Sequence, residues 1–258
     1  GKNPALCLIY FWSPLIIKET FNSTHLDIVG ISVLCGSLYF LIRRMWVWSI
    51  FFLALGVMGK FYPAILFPLY LREMIRYRFD GGVSSKQLVN LVLAVMLFVG
   101  LIAICYLPFL NAGVGTFVGL KIFTTFWQSN DSLFAIMVFI FKNFFGLKQG
   151  FTLGQEDQWL SYDLPTFLSK LTVFIILIVT TLIYAFFWRP SAPLKTIRHC
   201  FVIMALVFLL SPVQNPWYLN WLVPFLCVFP SQAWLLLTGF SIDLENRLTS
   251  LNRTLCPH

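Results

Sequence analysis

Residues 19–27 hold the densest chemistry in the chain: the carboxylates Glu19 and Asp27, with the Asn22 amide and the His25 imidazole between them. Carboxylates set this close are the groups of general acid–base work, and ionisable groups at membrane depth are costly and usually functional. His25 and Asp27 are also metal-ligand types, so a divalent cation is one reading of the cofactor. No helical i, i+3 or i, i+4 ligand spacing accompanies them, and no metal ligands are assigned. A solvated loop between two helices explains the same polarity without calling for this pair.

Two further clusters carry chemistry. In Met58-Gly59-Lys60-Phe61-Tyr62-Pro63 a lone cation interrupts an apolar stretch, with Gly and Pro allowing the backbone to break beside it. Such a cation neutralises a phosphate where counter-charges are few; a lysine snorkelling to the headgroups gives the same sequence. Residues 211–221 join two prolines, three amides (Gln214, Asn215, Asn220) and three aromatics (Trp217, Tyr218, Trp221). Aromatic faces beside amides suit a sugar ring, whose C–H face stacks while its hydroxyls bond. An aromatic belt at the lipid interface explains the rings equally well, but not the amides and prolines among them.

These clusters must be positioned by apolar elements. Apolar residues make up 59% of the 258, charged residues only 11%, and the mean hydropathy is +0.83. Soluble domains keep about a quarter of their residues charged, so the solvent here is lipid. Backbone groups in hydrocarbon must be satisfied by helices or a closed barrel, and the runs here are continuous rather than alternating, which selects helices. The 18 Lys and Arg give a formal charge of +8 but gather at the ends of apolar runs. That is the positive-inside pattern of a membrane protein in contact with lipid, and no nucleic-acid partner is expected. The six cysteines are scattered singly and read as small hydrophobes. No P-loop, GxSxG or Rossmann fingerprint is present.

The apolar runs are residues 4–17, 28–42 up to Arg43-Arg44, 45–71 broken at 59–63, 87–108, 166–188, 199–212 and 221–240. As one straight helix, the roughly 27 residues of the third run would overshoot a core of about 30 Å, so a hairpin of two short helices with Lys60 at its turn is predicted. Residues 109–165 are the least regular, and the short apolar piece 132–145 reads as interfacial or re-entrant. The fold class is therefore all-α: one polytopic transmembrane helix bundle over residues 1–258, of roughly seven to nine membrane segments. With the basic clusters in the cytoplasm, Glu19, Asn22, His25, Asp27, Asn130, Asp131, Glu156, Asp157, Gln214, Asn215 and Asn220 fall on the opposite face.

The ordered motifs Ser13-Pro14 through Lys18-Glu19, Asn22 and His25-Leu26-Asp27, then Gly59-Lys60-Phe61-Tyr62-Pro63 with Pro68, then Trp127-Gln128-Ser129-Asn130-Asp131-Ser132, then Ser211-Pro212 and Asn215-Pro216-Trp217-Tyr218, resemble the polyprenol-dependent glycosyltransferases of the glycosyltransferase C superfamily, mannosyltransferase-like members especially. Each motif is loose; their order is the stronger signal. The resemblance implies transfer of a hexose from a polyprenyl-phosphate sugar donor to the hydroxyl of a glycan or lipid acceptor. The implied location is a bacterial inner membrane or the endoplasmic reticulum, with the active face periplasmic or lumenal. In that superfamily the principal catalytic carboxylate usually lies in the first large outer loop, and the chain opens at Gly1-Lys2 without such a loop ahead of its first apolar run, so a fragment lacking its N-terminal part is expected. Glu19 and Asp27 remain the catalytic candidates, and Asn22, His25, Lys60, Tyr62, Asn130, Gln214, Asn215, Trp217 and Tyr218 the substrate-binding ones. A transporter or flippase of lipid-linked precursors, or a scaffold without catalysis, are the competing functions.

Overall fold

Residues 28–59 fold back on themselves as an antiparallel pair, helix α1 (Asp27–Ile42) and helix α2 (Trp46–Gly59). The reversal is made by Arg44, whose φ of 61° is left-handed. Arg44 N–H donates to Leu41 O and Met45 N–H to Phe40 O, which closes the free carbonyls at the end of α1 as a Schellman turn. Small residues let the two helices approach: a Cβ on Gly59 would lie 3.2 Å from Gly30 Cα. Lower down, Ser37 Oγ donates to Ser49 O at 2.7 Å and Ser49 Oγ to Ser37 O at 3.1 Å, a reciprocal tie between the two helices.

The structure is a computed structural model that describes residues 3–76, 85–129, 132–147, 150–153, 160–187 and 192–239. After α2 the chain breaks at Lys60, turns through Tyr62–Leu66 and continues as α3 (Phe67–Arg76), the broken hairpin that the Gly-Lys-x-x-Pro pattern predicts. Helices α4 (Ser85–Tyr106), α5 (Val118–Phe126), α6 (Ser132–Asn143), α7 (Leu164–Leu182) and α8 (Pro193–Leu210) follow. Helix dominates the described residues; the exception is an antiparallel hairpin, β1 (Gly150–Leu153) with β2 (Leu160–Asp163), which pairs Gly150 with Asp163.

Among the described residues three helical stretches are long and apolar enough to cross a membrane: Ser85–Gly113, Leu164–Phe187 and Pro193–Leu210. The first two bury little of their surface and expose Leu88, Val89, Val92, Met96, Phe174 and Ile175. Apolar surface of that extent is left uncovered only where another apolar medium meets it. Helices α1, α2 and α6, of 16, 14 and 12 residues, are shorter than a spanning helix. At about 1.5 Å per residue each falls short of a hydrocarbon core about 30 Å thick.

Two runs divide more finely than their apolar character predicts. Residues 4–17 form only short turns, Pro4–Cys7, Leu8–Phe11 and Pro14–Ile17, because Pro4 and Pro14 each restart the backbone. Residues 221–240 are no single helix either: Val223–Leu226 is one turn, and helix resumes over 232–239 beyond Pro230. The core joins α1, α2, α8 and the Tyr62–Leu66 turn through Leu34, Leu53, Leu66, Ile203, Met204 and Phe208.

Candidate functional site at one end of the bundle

Residues 211–221 strap the end of the bundle where α1 begins and α2 and α8 end, and three other polar segments close on that strap. The first is built from Ser13 onward. Ser13 Oγ accepts from Ile16 N–H at the start of Pro14–Ile17, and the helix then widens into a π turn over Lys18–Asn22. Such turns inside helices recur at functional sites. This one buries Glu19 completely, with Lys18 Nζ 3.5 Å from Oε1 and His25 Nε2 3.4 Å from Oε2. His25 N–H donates to Glu19 O, and Thr24 between them takes φ 53°, a left-handed conformation that costs a β-branched residue about 1–3 kcal/mol. The chain so turned lays the His25 ring on Trp217, centroids 4.4 Å apart and planes 18° from parallel.

Asp27 opens α1, where the helix dipole favours an anion. Its Oδ1 accepts from Lys60 Nζ at 2.5 Å and from Trp221 Nε1 at 2.6 Å. Lys60 reaches it because α2 ends one residue earlier, with Lys60 extended at φ −155° and ψ 147°. The ammonium also lies 4.0 Å from the Tyr218 ring centroid and 5.9 Å from that of Tyr62. A cation over aromatic faces keeps its charge partly compensated while part of it remains open to a ligand. Lys60 keeps 26% of its side chain exposed, against 7% for Asp27.

Two grooves flank this pair and share Met58, Gly59 and Lys60. One, of about 580 Å³, is lined by Leu26, Val29, Val33 and Leu55 with Asp27 and Trp221 at its polar edge. The other, of about 590 Å³, runs between Tyr62, Tyr106, Phe117, Phe123 and Tyr218. The third segment reaches the strap through a parallel bridge: Ser129 N–H donates to Pro212 O at 3.0 Å and Gln214 N–H to Ser129 O at 2.9 Å. Ser129 Oγ adds a contact of 3.4 Å to Asn215 Oδ1.

Of the residues singled out from sequence, Glu19, His25, Asp27, Lys60, Tyr62, Trp217 and Tyr218 form one connected cluster. Gln214 stands at its edge with its amide turned away, donating to Leu209 O at 2.8 Å and so closing the end of α8. That is a capping role in place of the substrate contact its sequence suggests. Asn215 holds Ser129 rather than facing either groove, and Asn22 is exposed at the end of the π turn and lines neither. Asn130 lies outside the described residues, as do Asp131, Glu156 and Asp157. Among the described residues no three His, Cys, Asp or Glu side chains converge to hold a metal ion, and Asp27 Oδ1 already accepts from two donors.

Lys18, Ser129 and Gly30 complete the site without having stood out as site residues, and Trp221, one of the aromatics of the 211–221 cluster, enters it as a donor to Asp27. Trp221 is indistinguishable in sequence from a belt tryptophan. The readable signal is Gly30, one turn after Asp27, where a Cβ would lie 2.7 Å from Trp221 Cη2. Comparison with protein-family models, curated proteins and solved structures returns no match.

Proposed function

We propose that this chain forms the substrate cavity of a multi-pass membrane glycosyltransferase that moves a hexose, mannose foremost, from a polyprenyl-phosphate donor to an acceptor hydroxyl. The carrying observation is Lys60: an ammonium one-quarter exposed, held by Asp27 and Tyr218, at the place where two apolar grooves meet. A prenyl chain matches an apolar groove, the phosphate matches the cation, and Trp217 and Tyr218 offer aromatic faces to the sugar. As the acceptor oxygen bonds to the anomeric carbon, the bond from that carbon to the phosphate oxygen breaks, and Lys60 stabilises the charge that develops on the leaving phosphate. In this reading the short helices α1, α2 and α6, the three long ones and the broken apolar runs 4–17 and 221–240 belong to a bundle of roughly seven to nine membrane segments. In this reading the site opens on the face away from the basic clusters, periplasmic in a bacterial inner membrane or lumenal in the endoplasmic reticulum.

The test is transfer of labelled hexose from polyprenyl-phosphate mannose to an alkyl mannoside by membranes carrying the protein. Lys60→Ala is expected to lower kcat by about 10²-fold, the usual effect of deleting one donor to a developing oxyanion. Tyr218→Ala is expected to raise the donor KM. Full activity in both variants rejects the reading, and translocation of the lipid phosphate without a new glycosidic bond assigns the chain to the transporters.

A further inference from the structure

The proposed donor site leaves unexplained why a second carboxylate is buried beside it. Glu19 has no exposed surface, and neither of its carboxylate oxygens accepts a hydrogen bond among the described residues. A charge buried this way is tolerated only beside compensating groups, which here are Lys18 on one oxygen and His25 on the other. The imidazole is fixed from both sides, by Glu19 at Nε2 and by the face of Trp217. It remains one-third exposed, with Nε2 the ring nitrogen turned to Glu19. A carboxylate behind one ring nitrogen favours the tautomer with its proton there, which leaves the other nitrogen as the acceptor. The contact of 3.4 Å is long for a hydrogen bond, as such contacts often are before substrate binds.

Elimination points the same way. Glu19 is sealed from any acceptor, and Asp27 Oδ1 is held by Lys60 and Trp221. Of the titratable groups Glu19, His25 and Asp27, with side chains 0%, 33% and 7% exposed, His25 is oriented and the most accessible. It is joined to the phosphate-binding end by consecutive rings: His25 on Trp217, Trp217 edge-on to Tyr218 at 5.8 Å, and Tyr218 under the Lys60 ammonium. A hexose held at the edges of Trp217 and Tyr218, between the two stacked groups, would have its phosphate towards Lys60 and its attacked face towards His25.

We propose that Glu19 and His25 form a carboxylate–imidazole pair that takes the proton of the acceptor hydroxyl, with His25 Nδ1 as the accepting atom and Glu19 as the positioning residue. This rests on the glycosyltransferase reading above. The acceptor oxygen forms its bond to the anomeric carbon, the electrons of the broken carbon–oxygen bond leave on the polyprenyl phosphate, and the acceptor proton moves to Nδ1. The imidazolium so formed faces the Glu19 carboxylate and returns its proton to water after the product leaves.

The experiment measures kcat and donor KM for the full-length protein in lipid nanodiscs, with polyprenyl-phosphate mannose and an alkyl mannoside. His25→Ala is expected to lose about 10²–10⁴ in kcat, as for deletion of a general base, with donor KM changed by less than about twofold. Imidazole added to the buffer should restore part of the lost rate. Glu19→Gln is expected to lose about 10²-fold in kcat with no rescue by imidazole, since the ring is still present but unsupported. If His25→Ala melts at a lower temperature than can be assayed, His25→Gln is read by the same kcat and KM criteria. The pair is rejected if His25 variants keep kcat within about twofold, or lose it with a parallel rise in donor KM and no rescue by imidazole, the behaviour of a residue that only binds sugar. Transfer by the wild type that survives Lys60→Ala rejects the donor site and leaves the pair to these criteria, whereas a wild type that transfers no sugar rejects both.

Discussion

Asp27 and Lys60 keep 7% and 26% of their side chains exposed, so deleting either leaves the other's charge where water hydrates it poorly. Lys60→Met strands a carboxylate with only the Trp221 N–H, and Asp27→Asn strands an ammonium against two tyrosine faces. Each single change is expected to destabilise the protein by about 2–4 kcal/mol, near the lower end for a buried pair because Lys60 is partly wet. The double variant should cost less than the sum of the two by more than about 1 kcal/mol, the mark of direct coupling. Thermal unfolding in a fixed detergent, followed by tryptophan fluorescence, measures the cycle; strict additivity would mean that the ion pair contributes nothing to stability. The types of these residues are plain in the sequence, since a lone lysine between glycine and an aromatic Pro turn stands out in any apolar run. Their partnership is hidden: it depends on the α1–α2 reversal and on a tryptophan 194 residues from Asp27.

Helices α1 and α2 deliver that partnership only because they pack closely at Gly30 and Gly59. A methyl at position 30 would stand 2.7 Å from Trp221 Cη2 and 3.8 Å from Gly59 Cα, inside a fully packed crossing. Gly30→Ala therefore must push Trp221 outward, lengthening its bond to Asp27, and overpacking of this kind costs about 1–3 kcal/mol. The expected result is a lower melting temperature together with a shift in tryptophan emission. By contrast, Gly100→Ala, on the open face of α4 with nothing within 4 Å, should leave both unchanged. An equal fall at the two positions would show that the crossing is not responsible, since Ala favours a helix over Gly and propensity alone would raise the melting temperature. The elements themselves were legible where apolar runs end in charge: Arg43-Arg44 marks the α1–α2 turn and Lys60 the end of α2. They were less legible where proline divides a run that is apolar throughout, as in residues 4–17 and 221–240, because hydropathy reports the medium and not the continuity of the helix. The β1–β2 hairpin escaped for the opposite reason: it lies in a stretch with neither periodicity, and only pairing reveals it.

Among the described residues the arginines and several lysines outside the site gather at one end of the helix axes. Arg43 and Arg44 at the α1–α2 turn, Arg76 at the end of α3, Lys86 in the first turn of α4, and Lys195 and Arg198 in the first turns of α8 lie at helix ends opposite those that carry Asp27, Lys60, Tyr106 and Ser211. The far end is also tied by its own polar contact, Thr196 Oγ1 donating to Glu73 Oε1 at 2.6 Å between α8 and α3. A helical protein with basic residues at one end and a polar cluster at the other has a preferred orientation in the bilayer, because translocating Lys and Arg is unfavourable. Asn22 and Arg43 are both exposed and stand at the two ends of this axis, so single cysteines there report it directly. In a background with Cys7, the exposed thiol among the described residues, and Cys256 both changed to Ser, Asn22→Cys in intact cells or sealed vesicles should react with a membrane-impermeant maleimide from the non-cytoplasmic side. Arg43→Cys should react only after the membrane is opened. Labelling of both positions from the same side would place the two ends of α1 on one face, and the separation of charge would then have no bearing on how the proposed site meets the lipid-linked donor proposed for it. Labelling in the reverse order would keep the axis but turn the Lys60 grooves towards the cytoplasm, where the proposed donor would have to be presented from the inner leaflet.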